Sequence, residues 1–277
     1  MDDLSSTSHE LTVEIGGMPV LLRTHDPSFR DLLVNLYAGF VSPRVPPKFE
    51  FDVNLVQPRL NTNQDVQVRM DSGKWSLLRG DFQSEWDPGA RKGWIRQSAN
   101  PYSIDSVLRI VHSLILAREG GFLLHSASAM RNNRAFLFSG VSGAGKTTIA
   151  QLAPSDVTLL TDEISYIRHD GKGYQAYGTP FAGELARLGE NCSAEVAMLF
   201  FLNQGQENRI EEISSLTAVK LLLRNILFFA NDPELVKLVF SSAVDFVMNI
   251  PVRRLTFLPN ERVWDLISQA LCNLSGS

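Results

Sequence analysis

The residues whose types and spacing could do chemistry begin with one short run, Gly140-Val141-Ser142-Gly143-Ala144-Gly145-Lys146-Thr147. It meets the spacing G-x-x-x-x-G-K-[ST] in full, and each position has a physical task. Gly140, Gly143 and Gly145 let the main chain approach phosphate oxygens that a Cβ would keep away, so that successive N–H groups point inward as an anion nest. Lys146 supplies a mobile positive charge for β- and γ-phosphates, and Thr147 a hydroxyl for Mg²⁺. Thr148 continues into the run TTIAQLA, a helix start that aims the positive end of its dipole at the same anion. By chance the strict pattern arises in roughly one chain in a hundred of this length. AFLFS before it reads as a buried strand and TTIAQLA after it as a helix, the context the motif requires. The expected ligand is a nucleotide, held by its phosphates.

A second constellation follows closely. Val157 to Thr161 is a β-prone run that ends in Asp162-Glu163. A short helix broken at Pro154 and one strand fit between Thr147 and Asp162, which would bring both carboxylates to the mouth of the sheet beside the phosphates. Two acids there could hold Mg²⁺ and accept a proton from an attacking hydroxyl, the tasks phosphoryl transfer asks of side chains. The ending TLLTDE also mimics the strand of motor and transport ATPases, but those separate the two motifs far more widely. No LSGGQ-like segment and no NKxD are present. The expected activity is phosphoryl transfer to a hydroxyl; the alternatives are a nucleotide-binding scaffold or switch, and a simple hydrolase.

The elements that must position these residues change character near residue 100. Residues 1–100 read as an α+β region. Apolar alternation on both sides of Gly16-Gly17 predicts a hairpin over Leu11 to Arg23. Asp26-Pro27-Ser28 opens a helix carrying Phe29, Leu32, Leu33, Leu36 and Tyr37. Strands are expected at Phe49 to Val56, Val66 to Met70, Trp75 to Leu78 and Gly93 to Gln97. Residues 101–277 read as α/β. A helix over Ile104 to Arg118 ends at Gly120-Gly121, and strands Gly121 to Met130 and Ala135 to Ser139 are joined by the turn RNNR. Beyond the loop, Ala194 to Leu202 is a buried strand, Thr217 to Phe229 a helix, Asp232 to Asn249 one or two helices, Val252 to Phe257 a strand and Glu261 to Leu274 a closing helix.

The runs HSASAM, AFLFSGVSGAGKTTIA and TLLTDE resemble the P-loop kinase domain of HPr kinase/phosphorylase and its kinase-like relatives, a fold shared with phosphoenolpyruvate carboxykinases. The resemblance covers about residues 104 to 200. It implies a P-loop kinase domain with a mixed sheet, using ATP and Mg²⁺. On matching positions His125 is similar to the family's active-site His, Asp162 to the base that activates the acceptor hydroxyl, and Glu163 to its metal-binding neighbour. The segment GTPFAGELARLGE is similar to a later loop, in which Glu184 would face the metal and Arg187 the transferring phosphoryl group. Asp162-Glu163 stands where HPr kinases usually have Asp-Asp, and Thr147-Thr148 where they commonly have Ser-Glu. Residues 1 to 100 match no part of their N-terminal domain. The chain therefore looks closer to the divergent kinase-like branch than to enzymes acting on HPr itself. Homo-oligomers occur among these relatives, which leaves such assembly open here.

Composition bounds the partners. The chain has 277 residues, 44% hydrophobic and 20% charged, with a net charge of −4. That is ordinary globular composition with no basic footprint for a nucleic acid. No apolar run approaches the roughly 20 residues of a membrane span. MDDLSSTSHE is acidic and polar where a secretory signal would be basic and then apolar, and Cys192 and Cys272 show no metal-like spacing, so a cytoplasmic protein with free thiols is expected.

Overall fold

The computed structural model describes residues 7–42, 45–57, 65–181 and 189–275. Its chain divides into two compact units, Met1–Ile115 with Phe228–Val236, and Leu116–Leu227 with Lys237–Ser277.

The first unit opens with the hairpin β1 (His9–Ile15) and β2 (Met18–Thr24). Its turn needs two left-handed residues, and Gly16 and Gly17 have φ of +62° and +72°, the conformation glycine adopts without cost. Helix α1 (Pro27–Leu36) is capped by Asp26, whose Oδ1 accepts from the Phe29 amide at 2.8 Å. Proline at the first helical position costs no hydrogen bond. Then come β3 (Phe49–Leu55), β4 (Gln67–Asp71), β5 (Lys74–Arg79), β6 (Phe82–Asp87) and β7 (Lys92–Gln97). They form a seven-stranded sheet in the order β1-β2-β3-β7-β6-β5-β4, in which β2, β3 and β7 are parallel. β6 is not among the strands expected from the pattern. Its inward positions are Phe82, Ser84 and Trp86, and the serine breaks the apolar alternation. Inside, Ser84 Oγ donates to the Trp94 carbonyl at 2.8 Å, which removes the cost of burying it. Helix α2 (Pro101–Glu119) follows. The division between units falls within it, after Ile115, rather than before residue 101.

The second unit holds β8 (Phe122–Arg131), β9 (Arg134–Ser139), α3 (Lys146–Gln151), β10 (Thr158–Thr161), β11 (Ile164–His169), β12 (Tyr174–Tyr177), β13 (Ser193–Gln204), β14 (Arg209–Glu212), α4 (Ser215–Asn225), β15 (Ile226–Leu227), β16 (Val252–Phe257) and α6 (Arg262–Ser275), while α5 (Pro233–Asn249) begins in the first unit. It is a mixed α/β architecture. β9 lies antiparallel to β8 and parallel to β13, which is parallel in turn to β16. The pairings β8-β11, β11-β12, β12-β13, β13-β9 and β9-β8 close on themselves.

Alternate residues of β9 enter different apolar clusters. Ala135 and Leu137 pack with Leu222 of α4 and Phe246 of α5, whereas Phe136 and Phe138 pack with Ile149 of α3 and Trp264 of α6. A strand covered on both faces must be apolar throughout, which is why AFLF shows no alternation. Asn132 and Asn133, at φ +51° and +58°, make the tight turn between β8 and β9, as residues that tolerate that region. The helix expected over Thr217 to Phe229 ends at Asn225, because Ile226 and Leu227 leave it to pair with Leu124 and Leu123 of β8. Asp232 to Asn249 contains one helix. Among the described residues no helix is long and apolar enough to cross a membrane.

Candidate active site

β9 delivers the glycine loop at its carboxyl end, beside the carboxyl ends of its parallel companions β13 and β16. The loop's shape rests on close approaches. Gly145 has φ +106°, and a Cβ there would stand 2.5 Å from the ring of Phe257. A Cβ on Gly140 would stand 2.8 Å from that of Ala144. Gly143, at φ +77°, has nothing within 4 Å of its would-be Cβ, so its glycine serves conformation and an open approach from outside.

Lys146 is 9% exposed and lines the cleft. Its Nζ donates to the carbonyls of Gly140 at 3.0 Å and Val141 at 3.3 Å, so the ammonium is anchored across the loop. Because α3 is only six residues long, its dipole is small. Loop amides and Lys146 therefore carry most of the attraction for an anion.

The acid pair is set by β8. β10 pairs with Met130 to Ser128 of β8, with a register shift between Leu159 and Thr161. Such a bulge re-aims the side chains that follow it. Pairing resumes with Ile164 opposite His125, and the Ser126 amide donates to the Glu163 carbonyl at 3.0 Å. Asp162 and Glu163 thus form a short interruption between two strands that share one partner. Thr161 Oγ1 accepts from the amides of Glu163 and Ile164, both at 3.3 Å. Thr179 Oγ1 lies 3.2 Å from Thr161 Oγ1 and donates to the Ile164 carbonyl at 2.9 Å. The turn holding the acids is thereby braced by two buried hydroxyls.

One cleft of about 600 Å³ is lined by His125, Ser142, Gly143, Gly145, Lys146, Thr147, Thr148, Asp162, Glu163 and Gln204. Burial lowers the pKa of His125 below its usual value, and the positive charge of Lys146 lowers it further. Its imidazole is thus neutral at pH 7, able to accept a proton or to donate one through its N–H.

A family model described as SynChlorMet cassette protein ScmC matches residues 96–272, more than half of the chain. The chain belongs to this family. No curated protein matches it. The matched region contains the glycine loop, the acid pair and His125.

The cleft brings together the sequence-predicted residues His125, Ser142, Gly143, Gly145, Lys146, Thr147, Thr148, Asp162 and Glu163. Gly140 and Val141 take part through carbonyls accepting from Lys146, while the Val141 side chain is 77% exposed. Ala144 is turned into the apolar cluster with Ile149 and Phe257. Glu184 and Arg187 lie outside the described residues. Gln204 was not expected from the pattern. Its only signal is that polar Asn203-Gln204 ends the apolar run of β13, level with the loop in space and distant in sequence.

A hydroxyl and two carboxylates are hard oxygen donors of the kind Mg²⁺ prefers. Among the described residues no group of three or more His, Cys, Asp or Glu side chains is placed to hold a metal by itself. Such an ion would complete its shell with phosphate oxygens and water, as Mg²⁺ commonly does in phosphate sites.

Proposed function

We propose that this chain is an ATP-dependent phosphotransferase that moves the γ-phosphoryl group to a hydroxyl of a protein, a peptide or a small molecule. In this reading the second unit is a P-loop kinase domain of the HPr kinase and phosphoenolpyruvate carboxykinase type, working in the cytoplasm. The observation that carries it is the meeting of Lys146 and Thr147 with Asp162 and Glu163 around one cleft. Phosphoryl transfer needs little from a protein beyond positioning and charge neutralisation, and this cleft offers both.

The residues divide the work. Loop amides from Ser142 to Thr148 and the Lys146 ammonium bind the polyphosphate and spread its charge. Thr147 and Glu163 would hold Mg²⁺, which supplies further charge neutralisation when bound. Asp162, 4% exposed and facing the same space, receives the acceptor hydroxyl's proton as that oxygen bonds the γ-phosphorus and the bond from phosphorus to the β–γ bridging oxygen breaks, leaving ADP with the loop amides and Lys146. His125 orients the acceptor through its N–H and stays uncharged beside Lys146.

The test is transfer from γ-labelled ATP into cell extract, with heavy-oxygen ATP and mass spectrometry identifying the labelled acceptor. Lys146→Ala should lose nucleotide binding and transfer together. Asp162→Asn should keep binding and lose transfer by about 10²- to 10⁴-fold, the usual contribution of a general base. Transfer that survives both substitutions would refute the assignment. A nucleotide switch would instead depend on Lys146 and ignore Asp162, and a hydrolase would turn ATP over steadily with no acceptor.

A further inference from the structure

The glycine loop has a supporting contact from outside the motif. Gln204, at the carboxyl end of β13, donates from Nε2 to the carbonyl oxygen of Gly143 at 2.6 Å. β13 is the parallel neighbour of β9, with Phe201 opposite Ser139, so its last residues run alongside the loop that β9 feeds. Gly205 follows, and its amide donates to the Phe257 carbonyl at 3.1 Å. The ring of Phe257 in turn lies beneath Gly145. Gln204 is thus fixed by its own backbone neighbours to the floor on which the loop sits.

A loop that binds an anion must present amides and turn its carbonyl dipoles away, because a carbonyl oxygen facing a phosphate oxygen repels it. Here the carbonyls of Gly140, Val141 and Gly143 are held by donors within the fold. That of Gly140 accepts from Lys146, and that of Val141 from Lys146 and from the Ala144 amide at 3.1 Å. The Gly143 carbonyl accepts from Gln204. Gly143 is the loop residue in greatest need of such a restraint, since it is exposed, left-handed and meets nothing within 4 Å of its would-be Cβ. Without a donor, rotation of the Gly143–Ala144 peptide could swing this carbonyl into the cleft.

We propose that Gln204 is a positioning residue for polyphosphate binding, which holds the Gly143 carbonyl out of the anion's path. This rests on the phosphotransferase reading of the same cleft. It adds a recognition element that belongs to the phosphate chain and is independent of base and acceptor.

The experiment measures affinity for ATP and for inorganic pyrophosphate, by calorimetry, together with the Tm of the ligand-free full chain. Gln204→Ala removes the donor, Gln204→Asn keeps an amide that falls short, and Gln204→Glu keeps the shape but has no donor at neutral pH. Ala and Asn should each weaken both ligands about tenfold, the worth of one net hydrogen bond. Glu should weaken them more, since its carboxylate adds like-charge repulsion. The Tm of all three should match wild type, because the side chain is exposed. Unchanged affinities in variants, with wild type binding both ligands, would overturn the role of Gln204 and leave the reading of the cleft intact. Losses that appear only in step with a fall in Tm would also overturn it. A wild-type chain that binds neither ligand would overturn the reading of the cleft, and this role with it.

Discussion

The indole Nε1 of Trp264 donates a hydrogen bond to the carbonyl oxygen of Ile149 at 3.1 Å. Ile149 lies in the last turn of α3, where carbonyls have no partner within the helix. The amides that could have served it are used elsewhere, Leu152 on Thr148 and Ala153 on Ala150. A helix of six residues is marginal by itself, and α6 supplies what α3 lacks. Trp264 also meets Phe138 of β9 edge-on, with ring centroids 5.5 Å apart. One side chain therefore ties together the strand before the glycine loop and the helix after it.

Trp264→Phe should separate these two roles. It keeps an aromatic ring against Phe138 and leaves the buried Ile149 carbonyl unsatisfied, at a cost of about 1–3 kcal/mol in urea unfolding. Trp264→Ala adds a cavity and should cost about 3–5 kcal/mol. If Phe cost nothing, the bond would be no support for α3.

The glycines of the loop should differ sharply. Gly145→Ala combines a left-handed backbone at φ +106° with a Cβ driven into the Phe257 ring, so both nucleotide affinity and Tm should fall. Gly143→Ala, at φ +77° with open space, should cost only the backbone penalty of about 1–2 kcal/mol. Equal losses at the two positions, read from thermal unfolding, would contradict the contact with Phe257.

These contacts mark the limit of what the sequence made legible. Gly140 to Thr147, the strand before it and the helix after it could be read because motif spacing and local hydrophobicity agree. Asp162-Glu163 could be read because an apolar strand leads into it. β11 could not, since Ile164 to Ile167 is buried at every position and so lacks the alternation that marks a half-buried strand, and β12, though it alternates, is only four residues long. Gln204, Trp264 and Thr179 reach the site through pairings distant in sequence, which leave no local pattern. The first unit's hairpin and α1 were legible from Gly16-Gly17 and Asp26-Pro27, where turn chemistry is local.

His125 should titrate below its ordinary value, followed through its ring protons by NMR. Burial is the larger cause and Lys146 the smaller. Lys146→Ala removes a positive charge that disfavours the imidazolium, so the His125 pKa should rise part of the way back toward 6.5. A downward move, or none, would mean that the two groups do not share the cleft electrostatically.

The first unit carries its own pH dependence. His112 of α2 is fully buried with Phe49 against its ring at 5.5 Å, and burial lowers its pKa from 6.5 to about 3. Above pH 6.5 folded and unfolded chains both hold it neutral, and it contributes no pH dependence. As pH falls below 6.5 the unfolded chain takes up a proton that the folded chain refuses, so stability drops by about 1.4 kcal/mol per pH unit. The drop ends near pH 3, where the folded chain protonates too. His112→Leu should remove this slope between pH 6.5 and 3 while the other groups keep theirs, as urea unfolding at several pH values would register.

Thr179 tests whether the acid turn is held for chemistry or only for folding. Its hydroxyl donates to the Ile164 carbonyl at 2.9 Å and lies 3.2 Å from Thr161 Oγ1, which itself accepts from the Glu163 and Ile164 amides. Thr179→Val keeps the volume and leaves these buried groups short of a donor, so stability should fall by about 1–3 kcal/mol. The turn can then relax, and Asp162 moves relative to the cleft. The bonds of this brace do not include the glycine loop, which in the proposed reading binds phosphate through its amides and Lys146. The kinetic signature should therefore be a fall in kcat of about tenfold or more with the KM for ATP nearly unchanged, the split expected when an interaction matters in the transition state alone. Thr179→Ser returns the hydroxyl without the methyl and should restore kcat. Were KM to rise in proportion while kcat held, Thr179 would act on binding, and the division between a loop that grips and a turn that reacts would be wrong.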